Sequence, residues 1–150
     1  HRRGIVEEKH EKKTIKVMAA IDGSPMTDLV LAHCARYAKM SACDLTLLHV
    51  IEDIIPLTGI PDTPLYKERK NEGMAILARA EKILKDQGVD CKTILVEGPV
   101  AQQIVNVAEN SSIDYIFMGS RGLRGLKRML LGSVADTVTK YAHCAVTIIR

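Results

Sequence analysis

From residue 14 onward, short apolar runs of strand length alternate strictly with segments whose apolar residues recur at helical spacing. The runs are TIKVMAAI (Thr14 to Ile21), DLTLLHVI (Asp44 to Ile51), VDCKTILV (Val89 to Val96), IDYIFM (Ile113 to Met118) and AVTII (Ala145 to Ile149). Between them, four apolar stripes mark helices: Leu31, Cys34, Ala35 and Ala38; Ile76 to Leu84; Ala101, Ile104, Val105 and Ala108; Ala135, Val138 and Ala142. This β-α-β-α-β-α-β-α-β order predicts an α/β chain with one open parallel five-stranded sheet, joined by right-handed crossovers and covered by helices on both faces. The second run is largely apolar throughout, as a strand covered on both sides requires.

Local signals punctuate this order. Ser24 is placed to cap the first helix, Pro25 suits its first turn, and the stripe ends near Met40. EDIIPLTGIPDTP, with three prolines and a glycine, reads as an irregular loop, and Gly88 stops the second helix. Ser133 and Asp136 have the spacing of a capping box at the last helix.

At 150 residues the chain is the size of one domain and can bury a core without disulfides. The domain is expected to span residues 14–150, with 1–13, dense in mixed charge, as a tail or linker. No apolar run approaches the length of a membrane span, and no front segment has the order of a signal peptide, so no membrane insertion is expected. Cys34, Cys43, Cys91 and Cys144 are widely spaced and form no C-x-x-C pair. They read as small buried hydrophobes in a reducing, cytoplasmic setting rather than as zinc ligands.

Charge is concentrated in one place. Arg121, Arg124, Lys127 and Arg128 carry +4 of a formal net charge of +3, so the rest of the chain sums to −1. A single anionic ligand fits this better than a nucleic-acid-coating surface, and the basic segment holds no aromatic residue on which bases would stack.

That basic segment, GSRGLRGLKRMLLGS, follows the fourth run and has the spacing Gly119-x-x-Gly122, nine residues, then Gly132-Ser133. Glycine lets backbone N–H groups approach a phosphate without a Cβ in the way, and Ser133 would stand at a helix N-terminus, which favours an anion. Arg121 and Arg124 would add charge-assisted bonds. The pattern is neither a Walker A loop nor G-x-G-x-x-G, and a basic glycine-rich segment by itself also fits a surface turn. Open parallel sheets bind ligands beyond the carboxyl ends of their strands, where the strand order reverses. If strands one and four are neighbours there, Asp22 and Gly119 face one crevice.

IDGSP, LLHVIED and MGSRGLRGLKRMLLGSVADTV resemble the universal stress protein (UspA-like) family, in particular its ATP-binding branch, over about Lys16 to Arg150. The resemblance implies an adenine nucleotide alpha hydrolase-like fold with strand order 3-2-1-4-5, and a homodimer formed by antiparallel pairing of the last strands, Ala145 to Ile149. It implies that Ala20 and Asp22 lie beside the adenosine and that the main chain of Leu45 meets the adenine edge. Met118, Gly119, Arg121 and Gly122 would run along the ribose and phosphates, and Gly132, Ser133 and Val134 would close the triphosphate site. Mg2+ would ride on the phosphates, a cation that keeps most of its water. The chain departs from the family at YAHCAVT, where His143 and Ala145 stand in place of frequent prolines, which bears on the dimer geometry.

Other candidates have ordinary explanations. Asp22 alone could be a helix-starting turn residue, and His49 reads as a histidine satisfied by a backbone group, since no nucleophile is identifiable beside it. His33 is expected to face solvent, and the six methionines to pack. Glu52 and Asp53 read as loop charge. The expected function is therefore a dimeric, ATP-binding regulatory or stress-response protein with little or no turnover and a protein partner the sequence does not name. The rivals are a nucleotide hydrolase or transferase using His49 or Asp22, and a nucleotide-sensing domain of a larger transporter or kinase chain.

Overall fold

The computed structural model describes residues 13–52, 59, 63–122 and 130–150. Its five strands are β1 (Ile15–Ala20), β2 (Cys43–Glu52), β3 (Lys92–Gly98), β4 (Tyr115–Gly119) and β5 (Ala145–Ile149). Four helices connect them: α1 (Met26–Met40), α2 (Thr63–Asp86), α3 (Val100–Asn110) and α4 (Ser133–Tyr141). The strands form one sheet in the order β3-β2-β1-β4-β5, and every pairing is parallel.

Alternation along each strand divides the core into two layers. Val17, Ala19, Leu45, Leu47 and Phe117 face α1 and α2, packing with Leu31, Cys34, Leu77 and Leu84. Met18, Leu48, Val50, Ile116 and Met118 face α3 and α4, packing with Ile104, Ala108, Ala135 and Val138. In β1, the middle strand, Val17, Met18 and Ala19 are all 0% exposed, which is why the run shows no polar face. The chain moves outward from β1 to β3 on one side, then crosses back to β4 on the other. That reversal puts the topological switch point between β1 and β4.

Several local expectations are corrected. Helix α2 starts at Thr63, inside the segment read as a loop, because Pro64 in a first turn needs no N–H partner. Strand β3 begins at Lys92 rather than Val89, since Val89 belongs to the end of α2. There Gly88 takes a left-handed φ of 77°, the Val89 N–H donates to the Leu84 carbonyl (2.9 Å) and the Gly88 N–H to that of Lys85 (2.9 Å). The same closure ends α3, with Ser112 at φ 53° and Ile113 donating to Ala108 at 2.9 Å, so β4 begins only at Tyr115. His33 is half-buried, its ring 4.9 Å from that of Phe117 in an edge-on contact, and does not simply face solvent.

Candidate functional site

Beyond the carboxyl ends of β1 and β4 lies a cavity of about 530 Å³, within the usual range for small-molecule sites. Its floor is set by Asp22, which follows β1. The Ser24 N–H donates to Asp22 Oδ1 at 2.9 Å, the Thr27 hydroxyl lies 3.4 Å from the same oxygen, and the Gly23 N–H donates to Thr27 Oγ1 at 3.0 Å. Ser24 does not cap α1 as expected, and its buried Oγ has no hydrogen-bond partner among the described residues. Its N–H is drawn to Asp22, its carbonyl accepts from the Thr27 N–H (2.9 Å), and Pro25 stands at the helix N-cap without a side-chain bond.

The glycines of the basic segment meet this floor closely. A Cβ on Gly122 would lie 2.8 Å from Asp22 Oδ2, and one on Gly132 would lie 3.1 Å from the Ser120 carbonyl oxygen. Ser120, on the first stem, is tied to β5 and to the second stem: its N–H donates to the Ile149 carbonyl at 2.8 Å and its carbonyl accepts from the Gly132 N–H at 2.7 Å. The Arg121 guanidinium reaches the sulfur of Met26 on α1, Nη2 to Sδ 3.8 Å. Arg124, Lys127 and Arg128 lie outside the described residues.

Ser133 opens α4 rather than capping it; Gly132 is the N-cap and makes no side-chain bond. Asp136 does not complete a capping box either. Its N–H donates to the Gly132 carbonyl, and its carboxylate accepts from Lys140 Nζ at 2.9 Å. The start of α4 at Ser133, Val134 and Ala135 borders the cavity, an arrangement suited to an anion.

These placements meet a family-level finding. The family model of the universal stress protein family matches residues 14–150. The chain belongs to that family. The universal stress protein YxiE of Bacillus subtilis is 37% identical over 90% of this chain and 98% of its own length. The solved structure of MJ0577 from Methanocaldococcus jannaschii superposes with a TM-score of 0.80 at 31% identity, covering 89% of this chain and 94% of that one. At 22% identity and a TM-score of 0.70, the universal stress protein from Archaeoglobus fulgidus in complex with dAMP shares the fold, over 91% of this chain and 98% of that one.

Within this universal stress protein, Ala20, Asp22, Met118, Gly119, Arg121, Gly122, Gly132, Ser133 and Val134 all border the cavity. Leu45 does not. It pairs with Val17 near the opposite end of the sheet and is 4% exposed in the α1-α2 layer, whereas the cavity meets β2 at Leu48, His49, Val50, Ile51 and Glu52. The carboxyl-end rule, applied by counting along the run to its end, would have pointed to Val50 and Ile51. The sequence reading also missed Thr27 of α1, Arg69, Glu72 and Ile76 of α2, and Val100 and Ile104 of α3 as wall residues. Glu52 is thus a wall residue rather than plain loop charge; Asp53 lies outside the described residues.

His49 borders the cavity with its Nδ1 2.8 Å from the Ile21 carbonyl oxygen, the backbone satisfaction expected of it. All four cysteines are free, and burial raises each thiol above its ordinary range, which fits packing rather than reactivity. Among the described residues, no group of three or more His, Cys, Asp or Glu could hold a metal ion. Among them too, no helix is long and apolar enough to cross a membrane.

Proposed function

We propose that this universal stress protein binds an adenine nucleotide, ATP carried with Mg2+, in the cavity at the β1-β4 switch point, and acts as a regulatory protein rather than by turnover. The observation that carries the reading is the approach of Gly122 to Asp22 beside the start of α4. A backbone stripped of side chains and a helix N-terminus border one space, which is what a polyphosphate needs. The adenine class is supported by the dAMP complex of the Archaeoglobus fulgidus protein, which has this fold.

Mg2+ fits the donor set in a limited way. Among the described residues no carboxylate cage is gathered, so the cation would ride on the phosphates with most of its water, leaving Asp22 to the adenosine. Bound there, it would neutralise phosphate charge. Ala20 and Asp22 would hold the adenosine, Val50 rather than Leu45 would offer its main chain to the base, and Ser133 and Val134 would receive the phosphates. Among the described residues the His49 ring is bonded to the Ile21 carbonyl and to no serine, threonine or cysteine that it could activate, which favours binding over nucleophilic chemistry.

The reading extends to a cytoplasmic homodimer joined through β5, an edge strand whose residues Val146 to Ile149 are only half-buried. Sedimentation should then give twice the 16.5 kDa chain mass. The deciding experiment is to denature the purified protein, identify released nucleotide by chromatography, and titrate ATP into the stripped protein with and without Gly132→Ala. Bound adenine nucleotide, weakened by the substitution, sustains the reading; no nucleotide and no titration signal overturns it.

A further inference from the structure

Thr27 has no place in the glycine-serine pattern, yet it is 3% exposed, borders the cavity and touches Asp22. We infer that Thr27 is a positioning residue for nucleotide binding, whose hydroxyl holds the Asp22 carboxylate so that Oδ2 is presented to the Gly119–Gly122 backbone. The inference rests on the nucleotide-binding reading above and adds a residue to it.

The argument is one of hydrogen-bond capacity. A carboxylate turns easily about its last torsion, which is broad and two-fold, so a single donor fixes it poorly. Asp22 Oδ1 has two donors approaching from different elements: the Ser24 N–H at 2.9 Å and the Thr27 hydroxyl at 3.4 Å. A threonine hydroxyl has one proton to give. Because Thr27 Oγ1 accepts from the Gly23 N–H at 3.0 Å, its rotor is oriented and its proton is directed to Asp22. With Oδ1 tied down, Oδ2 is the oxygen that faces Gly122, at 2.8 Å from where a Cβ would stand. Thr27 therefore sets where the ligand finds the Asp22 charge, although it lies on α1 and outside the motif.

The test is calorimetric titration of ATP with Mg2+ into the wild type, Thr27→Val, Thr27→Ser, Asp22→Ala and the Asp22→Ala/Thr27→Val double variant. Valine keeps the shape and deletes the hydroxyl; serine keeps the hydroxyl. Thr27→Val should weaken binding about tenfold, because the ligand must then order a carboxylate that the wild type holds in advance. Thr27→Ser should stay within about twofold, and Thr27→Val should cost nothing further once Asp22 is removed. Wild-type binding with an unaffected Thr27→Val, or an equal loss in both backgrounds, overturns the inference and leaves the nucleotide site standing. Absence of wild-type binding overturns both. If circular dichroism shows Thr27→Val unfolded, Thr27→Ala against Thr27→Ser makes the same comparison.

Discussion

The Nδ1 atom of His49 lies 2.8 Å from the carbonyl oxygen of Ile21, and the N–H of Ile21 donates to the Leu48 carbonyl at 2.9 Å. A carbonyl only accepts, so the imidazole carries its hydrogen on Nδ1, and the residue that follows β1 is stitched to β2 through both its N–H and its C=O. His49→Leu removes a donor from a partly buried carbonyl and should lower the unfolding free energy by about 1–3 kcal/mol in a urea titration. A wild-type midpoint would show that water replaces the ring without cost.

Gly73 lets α2 lie against that ring. A Cβ there would stand 2.9 Å from His49 Cδ2 and 2.9 Å from Leu95 Cδ1. The leucine methyl can turn aside, but the imidazole is held by Ile21. Alanine would improve an open helix by up to about 1 kcal/mol, whereas overpacking costs about 1–3 kcal/mol. Gly73→Ala should therefore destabilise, and a raised melting temperature would mean that α2 shifts freely on the sheet.

The two close glycines should separate binding from folding. Gly122→Ala would press a methyl on Asp22 Oδ2, and Gly132→Ala one on the Ser120 carbonyl. Each is expected to weaken ATP binding tenfold or more, about 1.4 kcal/mol. The ligand-free melting temperature should move by no more than about 2–4 °C, the shift that accompanies 1 kcal/mol in a chain of this length. Calorimetric titration and thermal melts on the same samples check both halves.

A pair of helix ends gives a prediction of opposite signs. Gly88 and Ser112 both occupy the left-handed position after a helix, at φ 77° and 53°. Nothing stands within 4 Å of a Cβ on Gly88, so Gly88→Ala costs only the backbone term, about 1–2 kcal/mol. Ser112 already carries that cost on an exposed turn, and Ser112→Gly should recover part of it, raising the melting temperature while Gly88→Ala lowers it.

Alkali should find the buried thiols. Burial, reinforced by Cys43 and Cys91, pushes the Cys34 pKa from 9.0 up to about 12, and burial with Glu81 and Asp90 nearby pushes Cys91 to about 11. The folded chain keeps these protons where the unfolded chain has lost them, so unfolding releases protons above pH 9. Their contribution is complete below pH 9 and is lost as pH climbs toward 12. The urea midpoint should fall across that window, and less steeply in Cys34→Ala. A flat profile would place Cys34 in contact with solvent.

Much of this architecture was legible because the residues that fix it are contiguous. The apolar runs of β1 and β2 announce buried strands, and the alternation with helical stripes leaves one sensible sheet. Asp22, Gly122 and Gly132 were legible as a cluster because the switch-point rule brings the ends of the first and fourth runs together. Leu45 was misplaced because a strand's length tells little about which of its residues reaches the open end; Val17 opposite Leu45 settles that only once the register is known. Ser24 and Ser133 looked like caps by type and spacing, but the N-caps fall one residue away, at Pro25 and Gly132, and Lys140 holds the Asp136 carboxylate. Thr27 was invisible because its bond to Asp22 depends on the turn at Gly23, whose φ of 78° no composition reveals.

The β1-β4 ladder runs only from Val17 with Tyr115 to Ala20 with Met118, and it alone joins the β1-β2-β3 portion of the sheet to the β4-β5 portion. At the amino end this seam is pinned by the Lys16 N–H on Asp114 Oδ2 and the Asp114 N–H on the Lys16 carbonyl, each at 2.8 Å. At the carboxyl end it opens on the cavity, with Asp22 on one bank and Gly122 on the other. A molecule lodged there would touch both portions at the end where the ladder stops, a clasp across a spine four rungs long.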